Sequence, residues 1–116
     1  MMVNRDLLIN TYKAFNARDI DAVLAVMHPD VDWPNGWEGG RVHGHQGVRE
    51  YWTRQWEAID PHVEPVDIST DGTGRTIVQV HQVVRDLNGN VTSEGTVEHA
   101  YLIEGGLIKR MDITKH

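Results

Sequence analysis

Apolar positions near the start of the chain recur at helical spacing. Leu8, Tyr12 and Phe15 fall on one face with Thr11 beside them, which predicts a helix over residues 4–17, with Asn4 placed to cap it. A second, short helix is expected after Asp19, another capping residue, with Ile20, Val23, Leu24 and Met27 as its apolar positions. Pro29 cannot continue a helix, so His28-Pro29-Asp30 should end it. A brief extended piece over 31–34 and a glycine-rich turn over 35–40 lead to a third helix over 46–59, where Val48, Tyr51, Trp52, Gln55 and Trp56 recur at three and four.

The pattern then changes to strand. Residues 63–70 are interrupted by Pro65, which points to an edge strand or a bulge. Asp71-Gly72-Thr73-Gly74 is a turn, and 75–86 is rich in β-branched residues. Asn88-Gly89 predicts a two-residue type I′ hairpin, with strands returning over 91–103 and 107–114. Helices followed by a meander imply an α+β fold, with helices on one face of a curved antiparallel sheet. The hairpin also sets a register. His81 should face Thr96, Gln79 should face Glu98 and Val83 should face Glu94, all on one face that Ile77, Ala100 and Leu102 share. Val78, Val80, Val84, Val97, His99 and Tyr101 share the other. The mixed polar face is taken as the one under the helices, lining a pocket. The apolar stripe is taken as the outside, where it would need covering by a second copy of the chain.

One domain fits 116 residues. A formal charge of −6 disfavours nucleic acid and anionic membrane as partners. With no cysteine, disulfides, thiolate chemistry and cysteine-ligated zinc are out. The start of the chain lacks a basic segment followed by an apolar run, and no apolar stretch reaches the ~20 residues of a membrane span, so a cytoplasmic protein is expected.

Two patterns carry candidate chemistry. His43-Gly44-His45 with Glu50 matches half of a cupin metal motif, but helical periodicity from Gly47 onward turns Glu50 away, so no metal is expected. His81 and Glu98 are diagonal neighbours on adjacent strands, where a carboxylate could orient a histidine for acid–base work near neutral pH. Gln79 shares their face.

Three segments resemble the SnoaL-like and ketosteroid-isomerase-like branch of the nuclear-transport-factor-2-like superfamily. They are FNARDIDAVLAVMHPDVDWP, the GHQGVREYW entry to the third helix, and VEHAYLIEGGLIKRMDI near the end. The resemblance covers nearly the whole chain. It implies a cone-shaped curved sheet wrapped around N-terminal helices, related to the cystatin-like roll, with an enclosed pocket and dimerisation through the sheet. Ketosteroid isomerase pairs an aspartate base with a tyrosine and a protonated aspartate as donors. Ungapped matching puts the base at Trp33, the tyrosine donor at Thr11 with Tyr12 adjacent, the acid at Glu98 and a supporting tyrosine at Trp52. With Trp33 at the base position, a true ketosteroid isomerase is not expected. The resemblance implies a cofactor-free domain holding a hydrophobic small molecule. His81 and Glu98 would be its catalytic pair, and Trp33, Trp52, Trp56, Gln79 and Tyr12 would touch the ligand. The activity would be that of a proton-transferring isomerase, cyclase or dehydratase. The alternative is a non-catalytic ligand-binding or dimerisation module of the same fold.

Overall fold

The computed structural model of the chain describes residues 4–115. Helix α1 (Asn4–Asn16) buries Leu7, Leu8, Thr11 and Tyr12, and Asn4 is already helical rather than a cap. Helix α2 (Ile20–Leu24) is capped as expected, the Asp19 carboxylate accepting from the Ala22 N–H at 3.2 Å. Between them Arg18 adopts a left-handed φ of 61°, which lets α1 close on the carbonyls of Ala14 and Phe15. Its guanidinium lies 5.1 Å from the Trp56 ring centre and 5.6 Å from that of Phe15, and it pairs with Asp60. Those contacts offset the cost of a left-handed turn at a residue with a Cβ.

The second helix stops before Met27, which together with Pro29 belongs to strand β1 (Met27–Pro34) instead. Pro29 is tolerated there because the pairing of β1 with its neighbour is irregular between Met27 and Asp32, so no regular ladder bond is lost. A three-residue strand that the pattern gave no sign of, β2 (Arg41–His43), folds back on β1 with Val42 opposite Trp33. Helix α3 (Gly44–Ala58) then begins at Gly44 rather than at 46. Gly44 has φ 70°, and a Cβ there would stand 3.3 Å from the Pro29 carbonyl oxygen, so glycine is what lets the chain turn into α3 against β1.

Strands β3 (Asp60–Thr70), β4 (Thr76–Arg85), β5 (Val91–Glu104) and β6 (Leu107–Lys115) complete one six-stranded sheet, ordered β2-β1-β6-β5-β4-β3. The β1–β6 pair is parallel and the other four pairs are antiparallel. The fold is therefore α+β with a curved, unclosed sheet, and the wholly antiparallel expectation is corrected at this one pair. Strand β3 is an edge, and its register shifts between Pro65 and Asp67, as the proline suggested. No helix among the described residues is long and apolar enough to cross a membrane.

The β4–β5 register is the expected one from Thr76↔Tyr101 to Val84↔Ser93. The turn is not type I′, because Gly89 has positive φ (91°) and Asn88 does not. The Gly89 N–H bonds the Asp86 carbonyl, and the Asp86 carboxylate accepts from the N–H groups of Asn88 and Asn90. A register shift between Val84 and Arg85 absorbs the extra residue, so a different turn delivers the same pairing.

The two faces of this hairpin are assigned the other way round from the expectation. Val78 and Val80 are 0% exposed and Tyr101 is 1% exposed, all packed under the helices. Gln79, His81, Glu94 and Glu98 lie on the outer face. Pairing fixes which residues share a face but not which face is covered. The covered one is the face with fewer side chains to strip of water. The apolar stripe is thus core, and it cannot be the dimer patch it was taken for.

The outer face near β1 and β6 is tied by two aspartates and three arginines. Arg41 bonds Asp32 at 2.5 Å and Asp112 at 3.1 Å, and Arg110 bonds Asp32 and Asp112 at 2.9 Å each. Arg75 adds a 2.9 Å bond to Asp112. Arg110 above all, with Arg75, holds the Asp112 carboxyl down at about 2. The network pins β2, β1, β6 and the start of β4 together from outside.

Adjacent residues on opposite faces should therefore differ sharply in cost. Val80→Asn places an amide without partners in the core and is expected to lose about 3 kcal/mol, whereas His81→Asn should lose less than about 1 kcal/mol. Urea unfolding midpoints of the two variants measure the difference.

Candidate functional site

The helices and the inner face of the sheet enclose a cavity of about 270 Å³. This is the volume of roughly nine waters and close to the lower end of small-molecule pockets. Phe15 of α1, Trp33 of β1 and Trp52 of α3 form an aromatic wall, with Val84 and Val97 on the sheet and Met111 and Ile113 on β6. Trp33 and Trp52 meet edge to face with ring centres 5.6 Å apart, and Phe15 and Trp52 do so at 5.2 Å. Trp37 also lines the cavity but is 39% exposed, which puts it at the rim. Its loop is built on Asn35, whose side-chain oxygen accepts from the Trp37 and Glu38 N–H groups at 3.2 and 2.7 Å. Glu38 in turn bonds Arg54 of α3 at 2.8 Å, and that bond lowers the pKa of the Glu38 carboxyl.

The polar centre of the wall is Tyr12 and His99. The Tyr12 hydroxyl lies 2.8 Å from His99 Nδ1 and 2.7 Å from the Tyr101 hydroxyl. The rings of Tyr12 and His99 are nearly parallel, 19° apart, with centres 6.0 Å apart. Proton counting gives the chain a direction. If Tyr12 donated to Tyr101, His99 would have to donate to Tyr12, and the buried Tyr101 proton would have no acceptor among the described residues. With Tyr101 donating to Tyr12 and Tyr12 donating to His99 Nδ1, both phenol protons have acceptors.

Burial pushes the Tyr12 phenol well above its usual pKa, and the neighbouring Tyr101 adds to the effect. Burial likewise raises Tyr101, with the Tyr12 hydrogen bond opposing, and raises Tyr51. No aspartate or glutamate is among the cavity-lining residues described.

The expected site residues divide. Trp33, Trp52 and Tyr12 are on the cavity wall. Trp56 is behind it, stacked on Trp52 at 5.8 Å, with its indole N–H buried and without a partner among the described residues. Gln79 is on the outer face and donates to Glu98 at 2.6 Å. His81 Nε2 bonds Glu94 at 3.1 Å, and Glu98 also accepts from Thr114 at 2.5 Å. His81 and Glu98 are therefore on the wrong side of the sheet to act on a cavity ligand, for the reason already given for the faces. Asp32 points outward into the arginine network, as alternation implied. His45 donates to the Met27 carbonyl at 2.8 Å, and His43 precedes α3 without a side-chain capping bond. No cluster able to hold a metal occurs among the described residues.

His99 was missed as a site residue. Its signal was a lone histidine in an otherwise apolar stripe, in phase with Val78 and Tyr101. Thr11 and its neighbour Tyr12 are both on the cavity wall, and His99 is on it whereas its neighbour Glu98 faces outward.

The sequence profile of the SnoaL-like domain family matches residues 9–111. No curated protein sequence matches the chain significantly. Among solved structures, TerC co-crystallised with polyporic acid is 27% identical, with TM-score 0.83, covering 97% of this chain and 91% of its own. A nuclear-transport-factor-2-like protein of unknown function from Burkholderia pseudomallei is 25% identical, with TM-score 0.84, covering 100% and 92%. A candidate polyketide cyclase from Sinorhizobium meliloti is 25% identical, with TM-score 0.77, covering 94% of each chain.

All three tyrosines of the chain are shifted upward, so the folded protein should ionise them at higher pH than the unfolded chain, where tyrosine has a pKa of about 10. The unfolded chain then binds fewer protons than the folded one, so stability should fall as pH rises through 10. Ultraviolet difference titration of tyrosinate, with and without denaturant, checks both statements.

Proposed function

This chain belongs to the SnoaL-like domain family, and on that premise we propose that it is a small-molecule-binding domain whose cavity takes a flat, hydrophobic ring system with an oxygen at the Tyr12–His99 centre. The observation that carries this is the directed chain from Tyr101 through Tyr12 to His99, set in an otherwise aromatic wall. Tyr12 and His99 are the polar groups on the wall beside which a carbonyl or phenolic oxygen would lie. The complex of TerC with polyporic acid supports occupation of such a cavity by a hydrophobic molecule.

A proton-transferring isomerase, cyclase or dehydratase is the finer reading, favoured by the likeness to a candidate polyketide cyclase. With Trp33 on the wall and Asp32 turned outward, no carboxylate base among the described residues serves the cavity as in ketosteroid isomerase. The work would fall on the Tyr12–His99 pair, set beside a ring ketone to stabilise the developing enolate oxygen.

2-Tetralone tests both readings. It should bind the wild type in calorimetry, and Tyr12→Phe and His99→Leu should weaken binding by about five- to tenfold, the scale of one lost hydrogen bond. In D2O, loss of its α-proton NMR signals should be faster with wild type than with His99→Leu. Equal rates would leave a binding module without turnover, and binding indifferent to both variants would remove Tyr12–His99 from the site.

A homodimer through the outer sheet face is also proposed, on charge rather than on the apolar stripe. Arg41, Arg75 and Arg110 outnumber Asp32 and Asp112 at one end of that face, whereas Glu64 and Glu94 are at the other. Two-fold packing would set each end on its opposite. Sedimentation should show a dimer at micromolar concentration that weakens as salt rises. A monomer at low salt would reject it.

A further inference from the structure

Tyr51 of α3 lines the cavity and is only 4% exposed. Its hydroxyl oxygen accepts from the Gln55 amide at 3.3 Å. That separation exceeds the about 2.5–3.0 Å of an O–H···O bond and suits an N–H donor better, so the phenol proton is not spent on the Gln55 side-chain oxygen. No acceptor for the Tyr51 proton occurs among the described residues. The other two phenols differ, since Tyr101 donates to Tyr12 and Tyr12 to His99. Burial raises the pKa of the Tyr51 phenol, the backbone N–H groups of Trp37 and Gly36 oppose it, and Glu38 adds to it. The hydroxyl thus lies by the loop that carries Trp37, at the rim of the cavity. A buried donor without an acceptor is costly, and an acceptor oxygen on a bound molecule would offset that cost.

We propose that the Tyr51 hydroxyl is a ligand contact at the rim, donating to an acceptor oxygen of the molecule in the cavity. This rests on the reading of the cavity as a ligand site. The contact is separate from the Tyr12–His99 pair, to which no hydrogen bond among the described residues joins Tyr51. The ligand class is thereby narrowed to a hydrophobic ring system that carries, beyond the oxygen beside Tyr12 and His99, an acceptor oxygen facing the rim. A carbonyl or ether oxygen suits that place, because it takes the Tyr51 proton and brings none of its own to an apolar wall. Phenylalanine at this position would keep the shape of the wall and lose only the donor. The hydroxyl therefore serves the ligand and not the fold, and stability and affinity should respond differently to its removal.

Two measurements on Tyr51→Phe test this. In urea, its unfolding constant should stay within about twofold of wild type or fall below it, since no acceptor loses a partner. Tyr101→Phe, which removes the donor that Tyr12 accepts from, should raise that constant about fivefold. A rise of that size in Tyr51→Phe would show that the fold uses the hydroxyl and would overturn the proposal. In calorimetry the probes are 2-tetralone and its 5-, 6-, 7- and 8-methoxy derivatives, which together place an acceptor oxygen at each free position of the aromatic ring. At least one derivative should bind wild type about fivefold more tightly than 2-tetralone. Tyr51→Phe should remove that gain while holding 2-tetralone itself within about twofold of wild type. If no derivative gains, or every gain survives Tyr51→Phe, Tyr51 is not a contact and the Tyr12–His99 end is left standing. Failure of the wild type to bind 2-tetralone would overturn the ligand site itself and this inference with it.

Discussion

A sheet covered by helices on one side only has one dry face, and the rest of this molecule follows from which residues occupy it. Val78, Val80, Tyr101, Ile108 and Met111 meet Leu8, Tyr12, Val48 and Trp52 across that face. Each fully buried aliphatic or aromatic side chain contributes about 1.5–3 kcal/mol relative to exposure, so the set outweighs any surface pairing in the molecule. The same burial creates the chemistry. Tyr12 and His99 belong to the dry face because they are in phase with the valines. Once there, their hydrogen bonds must close on one another. The curvature of the sheet leaves the space in front of them unfilled.

The charged outer side plays a complementary part. Five side chains from β1, β2, β6 and the start of β4 interlock around Asp32 and Asp112. Each pair is partly exposed and worth little alone. Together they hold the short strand β2 and the irregular β1 in line, and so fix Trp33, whose neighbours on either side face outward or end the strand. The Asn35 loop continues from there to Trp37 and is moored to α3 through Glu38 and Arg54. Aromatic wall and rim are thus positioned by polar contacts that never touch the cavity.

Most of the fold was legible because its signals are local. Period-3.6 stripes marked α1 and α3, Asp19 marked the start of α2, and Pro65 marked an edge with a bulge. The β4–β5 register was read correctly through a turn of the wrong type, since the Val84/Arg85 shift compensates for it. What was not legible is non-local. Strand β2 is too short to carry a pattern, and the parallel β1–β6 pair joins segments from opposite ends of the chain. The choice of covered face is set by the helices, which lie far away in sequence. That choice moved His81, Glu98 and Gln79 outside and brought His99 and Gln82 in. Tyr12, Trp33 and Trp52 survived because helix phase and the strand before Pro34 placed them independently of the sheet.

The two ends of the open sheet have a bearing on how the protein behaves in crowded solution. An unclosed sheet presents rows of unpaired amides and carbonyls that invite strand-by-strand growth into fibrils. At one end β2 is three residues long and offers little template. At the other, β3 carries Pro65, which has no N–H to give. It also has a bulge at Val66, which is 67% exposed between Glu64 and Asp67 and out of register with any straight strand that might dock. The cavity needs a sheet that curves without closing, and these two blunted edges let such a sheet persist without recruiting its neighbours.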